Sequence, residues 1–481
     1  MVVAEVVRRS PFDFIQTRIN QKRVYLELFG LSLLVLAIVA IRLNVREDLH
    51  VYGYTAVGVI YTFLIFSDLK YGIAALIVAI GVSPDSVIYS NVRLEDYLFP
   101  PLLVIWWFKR LADGTQLEGS PINKNIKFYL FVILIATVKG NYLGTVYGLN
   151  LSLAYCYKYI EYFLMFYFIL QTIKKKEDIV LLLIVTFTTC AVVAYISYTN
   201  RADKLVEGTE FVRASGPEGE TPNILGGYYM MNMMLAFALM FSIKQYLYKL
   251  MLLAFLAGVG APLLYTYSRT SFASLIIGLV ITSLFIDLRF FLFLFIFAFF
   301  APLLFPLETF VDQSFIDRYE TILDVFGGDE DGKKTPSSWE ARNVGWYIHF
   351  KRTWDQYPLL GKGVGSVTLG IDNSYIKKYV ETGVLGSYAF ILLIYRIARV
   401  TYQNIKEIKD IFLKTYCIGY FGILAGFLVH AVGVSSFSAI RTAEPFWIFT
   451  GVMAATGIIW RHQKELLEEE NLDRSSLSFR R

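Results

Sequence analysis

Arginine and aspartate residues stand in three polar stretches of an otherwise apolar chain. Arg213 lies in the first stretch and Arg269 in the second, whereas Arg318, Arg342 and Asp372 share the third and longest one. Arginine is always charged and can form two parallel hydrogen bonds, so it binds phosphate-like anions well. A carboxylate such as that of Asp372 can take a proton from a hydroxyl group. These residue types therefore suit the reaction of an anionic substrate with an acceptor that gives up a proton.

The elements that must position these residues are membrane-spanning helices. The chain has 481 residues, of which 56% are hydrophobic and 18% are charged, whereas a soluble domain is about 25% charged. Its mean hydropathy is +0.51, and apolar runs long enough to cross a bilayer recur along it. Strands of a membrane barrel would alternate polar and apolar residues, which these runs do not. The composition therefore predicts an all-α, polytopic helical bundle.

Charge, cysteine and histidine content argue against several other functions. The net charge of +5 is modest for this length, so no nucleic-acid partner is expected and the charges report on membrane topology. The three cysteines fall in predicted spans, without the spacing of a metal site or of a disulfide framework. The four histidines are scattered along the chain. We therefore expect no metal site and no cofactor.

We predict about 14 spans of roughly 17 to 25 residues each. The third and fourth spans are short, and if they form a re-entrant pair, the number falls to about 12. The predicted centres are Leu33, Val59, Ala75, Leu103, Ile133, Phe163, Thr186, Met233, Phe255, Ile277, Ile296, Tyr388, Gly422 and Val452.

Lysine and arginine residues give the orientation of these spans. Alternate short loops are basic, and basic loops favour the cytoplasm, so both termini are expected there and the polar stretches on the outer face. The predicted order is a cytoplasmic segment over 1–24, spans 1 to 11 over 25–306, an extracytoplasmic loop over 307–373, spans 12 to 14 over 374–461 and a cytoplasmic tail over 462–481.

The two shorter polar stretches each have a structural interpretation beside a functional one. Glycine and proline residues after Arg213 form a turn, and Asn223 is placed to cap the following helix. Arg213 would then belong to an ordinary solvated loop. Arg269 lies in a very short link between two apolar helices, on a side where arginine is uncommon. Its structural alternative is a side chain that snorkels to the membrane surface.

The long stretch has features that are typical of a folded loop. Trp346, Phe350 and Trp354 recur at helical spacing and predict an amphipathic helix that rests on the membrane or on the bundle. Ordinary extracellular decoration is the alternative. Gly363 and Gly365 belong to a glycine-rich segment that lacks the order of a nucleotide-binding P-loop. These glycines permit sharp turns and a close approach of the backbone.

A helix is expected to start near Tyr375, directly after the long polar stretch. Asp372 and Asn373 are placed to cap its first turn, and capping alone would explain both residues. The alternative is that Asp372 acts as a general base.

Charged residues also occur inside the predicted spans. Lys158 and Glu161 stand one helical turn apart, and this spacing favours a structural ion pair over a functional site. His430 and Arg441, near the outer ends of their spans, are secondary candidates for a functional role.

The order of these motifs resembles that of a known family. Arg213 opens an RxSGPxGxxxN segment, and Arg269 stands in an SRT link. The long loop contains RY, SxxxxRxxxW and PLLGxGxGS, and it is followed by DNSY and ExGxLG. This pattern resembles the O-antigen ligase family, which includes lipopolysaccharide O-antigen ligases and related polysaccharide polymerases. The resemblance extends from Arg213 to about Leu393.

The resemblance implies a GT-C-like glycosyltransferase that moves a glycan from a polyprenyl diphosphate to an acceptor hydroxyl. Arg213 and Arg269 would hold the diphosphate in the catalytic site, with further contacts from Arg342 and Arg318. Ligases of this family carry a histidine where the present chain has Asp372, which would serve as the catalytic base. Other substrate-binding candidates are Asn373, Tyr375, Gly363 and Gly365.

The same resemblance implies the partners and the location. The expected partners are an undecaprenyl-diphosphate-linked glycan donor, a glycan or lipid A-core acceptor and membrane lipids, with a chain-length regulator as a further candidate. The expected location is a bacterial inner membrane with an extracytoplasmic active site, and a polymerase is slightly favoured over a ligase. The alternative from another class is a lipid-linked oligosaccharide flippase, which would carry its charges in a central cavity between two related halves. A structural or signalling membrane protein would not need arginines clustered with an aspartate.

Overall fold

The fold is that of a computed structural model, which describes residues 58–82, 93–114, 116–206, 212–217, 221–289, 291–292, 338–367 and 371–478. These residues form helices and connecting turns, with no strand among them. The all-α prediction is therefore confirmed for this part of the chain.

The described helices follow the apolar runs of the sequence. Each predicted span centre from Val59 to Val452 lies in one of them, apart from Ile296, which with Leu33 lies outside the described residues. In chain order the helices are α1 (Gly58–Ser67), α2 (Leu69–Val82), α3 (Leu94–Asp113), α4 (Asn123–Tyr142), α5 (Leu149–Thr172), α6 (Lys176–Val206), α7 (Pro222–Leu239), α8 (Tyr246–Tyr265), α9 (Arg269–Ile286), α10 (Ser338–Gln356), α11 (Ser374–Glu407), α12 (Ile411–Gly433) and α13 (Ile440–Ser478).

Six of these helices are long and apolar enough to cross a bilayer. By length and composition they make the chain a helical membrane protein. The six spans are Lys176–Lys204, Tyr246–Tyr265, Arg269–Ile286, Ser374–Glu407, Ile411–Gly433 and Ile440–Glu469.

Burial separates the inner helices from the outer ones. In α13, 94% of the most apolar stretch is buried inside the protein, whereas in α8 the share is 17%. α13 packs against α2, α5, α7, α11 and α12, so it forms the centre of the bundle. α8 exposes most of its apolar surface, as expected of a helix that faces lipid.

Small residues bring α9 and α12 into close contact. A Cβ atom at Gly278 would lie 3.0 Å from the carbonyl oxygen of Gly422, and a Cβ atom at Gly422 would lie 2.8 Å from that of Gly278. One turn further along, a Cβ atom at Gly426 would lie 2.6 Å from the carbonyl oxygen of Ser274. Membrane helices associate through close packing of this kind, because lipid is as apolar as their side chains.

The expected pair of short spans is confirmed only for its first member. α2 has 14 residues, which is about 21 Å of helix and too short for a hydrocarbon core of about 30 Å. α3 has 20 residues, but charged residues occupy both of its ends, and it is not among the six described helices that are apolar enough to cross a bilayer. Arg93, which precedes α3, and Glu95 in its first turn are both buried. The charged start of α3 therefore lies inside the bundle.

α11 is interrupted at Gly383, where φ is 66° and ψ is −162°. On one side of the break, the N–H groups of residues 362–363 donate to the carbonyls of residues 380–381 at 2.8 and 2.9 Å. On the other side, the N–H groups of residues 384–385 donate to the carbonyls of residues 358–359 at 2.8 and 3.1 Å. The preceding loop thus satisfies the backbone groups that the break would leave without partners.

The residues that predict an amphipathic helix lie in α10. Phe350 stacks on Tyr379 of α11, with ring centroids 4.6 Å apart, and on Trp354, with centroids 6.1 Å apart. α10 therefore rests on the bundle. In the last described helix, α13 continues to Ser478, past the predicted end of the final span at Arg461.

Gly422→Leu is expected to destabilise the contact between α9 and α12, because a side chain has no room beside the Gly278 backbone. Overpacking of this kind costs about 1–3 kcal/mol, and thermal unfolding in detergent should show a lower midpoint. Gly258→Leu in α8 is the matched control, since nothing lies within 4 Å of a Cβ atom there. Equal losses in the two variants would contradict the packing role of Gly422.

Candidate functional site

Two acceptors near the start of α7 hold Arg213. Its Nε donates to the carbonyl of Thr266 at 2.8 Å, and its Nη2 donates to Oδ1 of Asn223 at 2.8 Å. The prediction that Asn223 caps the helix is wrong, since α7 begins at Pro222 with Thr221 as its N-cap. Proline suits the first helical position because the N–H that it lacks has no partner there. Arg213 is therefore an ordered, half-buried cation.

His430 of α12 contacts the first turn of α7, which also holds Arg213. It is fully buried, and its Nε2 lies 3.0 Å from the carbonyl oxygen of Asn223 and 3.1 Å from Oγ of Ser271. Because a carbonyl can only accept, Nε2 carries the proton, and Nδ1 accepts from Oγ of Ser436 at 2.7 Å. His430, a secondary candidate from the sequence, thus joins α7, α9 and α12.

Arg269 is the first residue of α9, and its side chain is partly exposed. Ser268 caps the helix by accepting from the N–H of Ser271 at 3.3 Å. The preceding Tyr267 has a φ of 49°, in the left-handed region that residues other than glycine rarely adopt. A strained turn therefore presents Arg269 at a helix N-terminus, where the helix dipole favours anions.

Asp372 pairs with Arg342 and does not cap α11. Nη2 of Arg342 lies 3.3 Å from Oδ2 of Asp372, and the two side chains are 35% and 49% exposed. Asn373 is the cap, as predicted, because its side-chain oxygen accepts from the N–H groups of Tyr375 and Ile376. The capping expectation was therefore wrong for Asp372, since Asn373 already serves the first turn.

Three further substrate-binding candidates have packing roles in the fold. The hydroxyl of Tyr375 donates to the carbonyl of Leu428 in α12 at 2.7 Å. Gly363 and Gly365 have φ angles of 100° and 82°, and Cβ atoms there would lie 2.7 and 3.0 Å from backbone atoms of α4 and α5. Glycine is therefore required at both positions by backbone conformation and by space. Arg318 lies outside the described residues.

Residues 434–439, which join α12 to α13, connect the two parts of the site. Ser435 donates to the carbonyl of Ile371 at 2.7 Å, next to the start of α11. Ser436 contacts His430 on the other side, next to the first turns of α7 and α9. All three predicted catalytic residues therefore lie at one end of the bundle, which we call the outer end after its predicted orientation.

A carboxylate that the sequence analysis did not select is buried beneath the outer end. Glu381 of α11 is 1% exposed, and its Oε2 accepts a hydrogen bond from the Tyr159 phenol at 3.0 Å. Lys378, one turn earlier, donates to the same phenol oxygen and lies 3.5 Å from Oγ of Ser438. These side chains form a buried cluster directly before the break at Gly383.

Lys158 is the centre of a second buried cluster. Its predicted pair with Glu161 is confirmed, with Nζ 2.8 Å from Oε2. Lys158 also pairs with Asp96 and lies 3.4 Å from Glu444. Glu161 and Glu444 are fully buried, as is Arg441. One lysine thus joins carboxylates from α3, α5 and α13, and it offsets part of the negative charge that the interior would otherwise disfavour.

Comparison with known proteins adds no assignment to this arrangement. No protein-family model matches the chain, and no curated protein matches it either. What the chain does must therefore be inferred from its own residues and from the order of its motifs.

Arg352 of α10 and Lys362 of the following loop form a cationic patch at the outer end, and His349 of α10 lies beside them. Burial lowers the pKa of Lys362, and repulsion from Arg352 lowers it further. Burial also lowers the pKa of His349, with added repulsion from Lys362 and Arg352. A bound anion would relieve this mutual repulsion. The patch was not predicted from the sequence, although His349 and Arg352 stand one helical turn apart.

A signal for the Glu381 cluster was present in the sequence. Lys377, Lys378 and Glu381 are charges in the first turns of a predicted span, and intramembrane charges are costly and frequently functional. Their partner Tyr159 could not be found in this way. It lies 222 residues away from Glu381 along the chain, in a span that contains many aromatic residues.

Lys158→Met is expected to reduce the yield of folded protein strongly. Removing one partner of a buried ion pair costs about 3–5 kcal/mol, because it leaves the other charge uncompensated. Lys351→Met is the matched control, since the Lys351–Asp355 pair is more than half exposed and is expected to contribute at most about 1 kcal/mol. Size-exclusion profiles in detergent would measure both, and normal folding of Lys158→Met would contradict the role given to this cluster.

Proposed function

We propose that the chain is a membrane glycosyltransferase that transfers or polymerises a glycan from an undecaprenyl diphosphate donor onto an acceptor hydroxyl. The reaction would occur on the outer face of a bacterial cytoplasmic membrane, in a bundle of about 14 spans with both termini in the cytoplasm. The observation that carries the proposal is the ion pair between Arg342 and Asp372. It lies at the same end of the bundle as Arg213 and Arg269.

The arginines supply what a departing diphosphate needs. Arg269 stands partly exposed at the N-terminus of α9, where its own charge and the helix dipole both attract anions. Arg213 is fixed by Thr266 and Asn223, so little side-chain entropy would be lost when a ligand binds. The cationic patch of α10 and its following loop adds positive charge at the same end.

The proposed reaction forms one bond, breaks another and transfers one proton. The acceptor oxygen forms a bond to the anomeric carbon, while the bond from that carbon to the diphosphate breaks and leaves its electron pair on the diphosphate. The proton of the acceptor passes to Asp372, the candidate general base. The arginines stabilise the charge that develops on the leaving group, so this scheme requires neither a nucleotide nor a metal ion.

The ion pair suggests how donor binding and proton transfer are linked. In the structure, Arg342 forms an ion pair with the carboxylate of Asp372. A diphosphate carries more negative charge than one carboxylate and would compete for the same guanidinium group. Binding of the donor would then release Asp372 at the moment when a base is needed.

The acceptor defines two forms of the proposed enzyme. A polymerase would use a second glycan repeat as the acceptor and work with a chain-length regulator. A ligase would use a lipid A core. We slightly favour the polymerase, because Asp372 stands where ligases of the similar family carry histidine.

A lipid-linked oligosaccharide flippase is the second candidate, and one observation favours it. The Lys158 cluster puts charges inside the bundle, as a transport pathway requires. However, Glu161 and Glu444 are fully buried and packed against their partners. The cluster therefore fits a structural role better than the lining of an open cavity.

Purified protein supplied with lipid-linked glycan repeats is expected to lengthen or transfer the glycan when nucleotide is absent and a chelator is present. The donor is already activated, and arginine provides the charge that a metal would otherwise provide. Gel electrophoresis of the products would detect the transfer. Strict dependence on a nucleotide or a divalent metal would refute the mechanism. Translocation of donor lipid without a new glycosidic bond would favour the flippase.

Asp372→Asn is expected to lower the turnover number by about 100- to 10,000-fold, the usual contribution of a general base. Folding should be preserved, because Asn373 and not Asp372 caps α11. Asp355→Asn on α10 is the matched control, since that residue is also exposed and paired with a cation. Full activity of Asp372→Asn would remove Asp372 from the chemistry.

A further inference from the structure

A cavity at the opposite end of the bundle has charged walls. Its volume is about 580 Å³, within the range of about 300–1,000 Å³ that is usual for small-molecule sites. It lies among the ends of α1, α3 and α5 and the start of α2. Its charged lining consists of Lys109, Arg110, Lys174, Asp68, Asp113 and Glu118.

An apolar groove of about 560 Å³ adjoins this cavity. The two share Trp106, Glu118 and Gln171 as lining residues, so they are continuous. The groove runs between α3 and α5 and is lined mainly by aromatic and aliphatic side chains, among them Leu103, Trp107, Phe108, Leu164 and Phe168. Trp107, Phe108 and Leu164 are exposed.

Hydrogen bonds fix the walls where cavity and groove meet. The amide of Gln171 both accepts from the N–H of Glu118 at 2.9 Å and donates to its carbonyl at 3.0 Å. Lys109 donates to the carbonyls of Ile65 and Phe66 at 3.1 and 2.8 Å, which joins α3 to α1. The site is therefore built by long-range contacts, not by a single mobile loop.

The charged side chains that line the cavity indicate which lipid headgroup it would bind. The cavity is lined by equal numbers of basic and acidic side chains, so it offers no excess of positive charge to an anionic lipid. Arg110 can bind a phosphate group, and so can the half-exposed Lys174, whose Nζ also lies 3.3 Å from Oε1 of Glu118. Exposed Asp113 can bind an ammonium group. A headgroup with both charges matches this lining.

We infer that the cavity and groove form a binding site for a zwitterionic phospholipid with a primary ammonium group. The phosphate contacts Arg110 and Lys174, the ammonium group contacts Asp113, and one acyl chain lies in the groove beside Trp106 and Trp107. This site is at the end of the bundle away from the proposed glycan-transfer site. The inference does not depend on the proposed function.

The test is competition between two lipids with identical acyl chains. Full-length protein in detergent is equilibrated with equal amounts of phosphatidylethanolamine and phosphatidylglycerol, and native mass spectrometry counts the lipid that it retains. The unmodified protein is expected to retain about fivefold more phosphatidylethanolamine, the size expected for one partly exposed ion pair. Equal retention, or a preference for phosphatidylglycerol, would overturn the inference.

Two variants and a control assign the contacts. Asp113→Asn should abolish the preference for phosphatidylethanolamine, and Arg110→Gln should reduce retention of both lipids by about fivefold. Lys244→Gln, a loss of one exposed basic residue at the same end of the bundle, should change neither result. A preference that survives in Asp113→Asn would contradict the proposed ammonium contact.

Tryptophan fluorescence gives a second measurement that needs no charge variant. Phosphatidylethanolamine with brominated chains should quench part of the emission, and Trp107→Phe should reduce that quenched part to the share that comes from Trp106. Quenching that is unchanged in Trp107→Phe would show that the chain lies elsewhere, and the groove would then not be the site.

Discussion

Backbone hydrogen bonding at the break in α11 is the constraint on which the outer end depends. A bilayer supplies no water to the N–H and carbonyl groups of an interrupted helix, so protein must satisfy them. Residues 358–363 do so on both sides of Gly383. The same loop then packs its glycines against α4 and α5 and leads towards Asp372. The location of Asp372 and Arg342 is therefore tied to the hydrogen bonds of the break.

Charged residues form two layers. One layer is buried inside the bundle, and the other lies partly exposed at the outer end. The Lys158 and Glu381 clusters are buried, and each cation faces carboxylates or a phenol at short range. Arg269, Arg342 and Asp372 are partly exposed. The buried layer fixes the relative positions of α3, α5, α11 and α13, whereas the exposed layer can exchange its partners for a ligand. This difference favours the exposed layer as the site of the proposed glycan transfer.

The sequence predicted what depends on local pattern. Apolar runs located the described helices, the position before Tyr375 identified Asn373 as a cap, and the spacing of Lys158 and Glu161 identified their pair. Contacts between distant segments could not be predicted. The partner of Arg213 is Asn223, which local capping rules had assigned to α7, and the partner of Asp372 is on α10. Such pairs depend on how helices pack, which one sequence does not reveal.

The central position of α13 has a consequence for how the protein is made. α13 is the most buried of the six spans, yet it follows in the chain every helix against which it packs. Lys158 enters the membrane 286 residues before Glu444, which completes its cluster. During synthesis, the charges of α3 and α5 therefore enter the bundle before their partner Glu444. Assembly of the bundle thus ends when α13 fills its centre. A chain truncated before Ile440 would leave buried charges without Glu444, and we expect membrane proteases to degrade it.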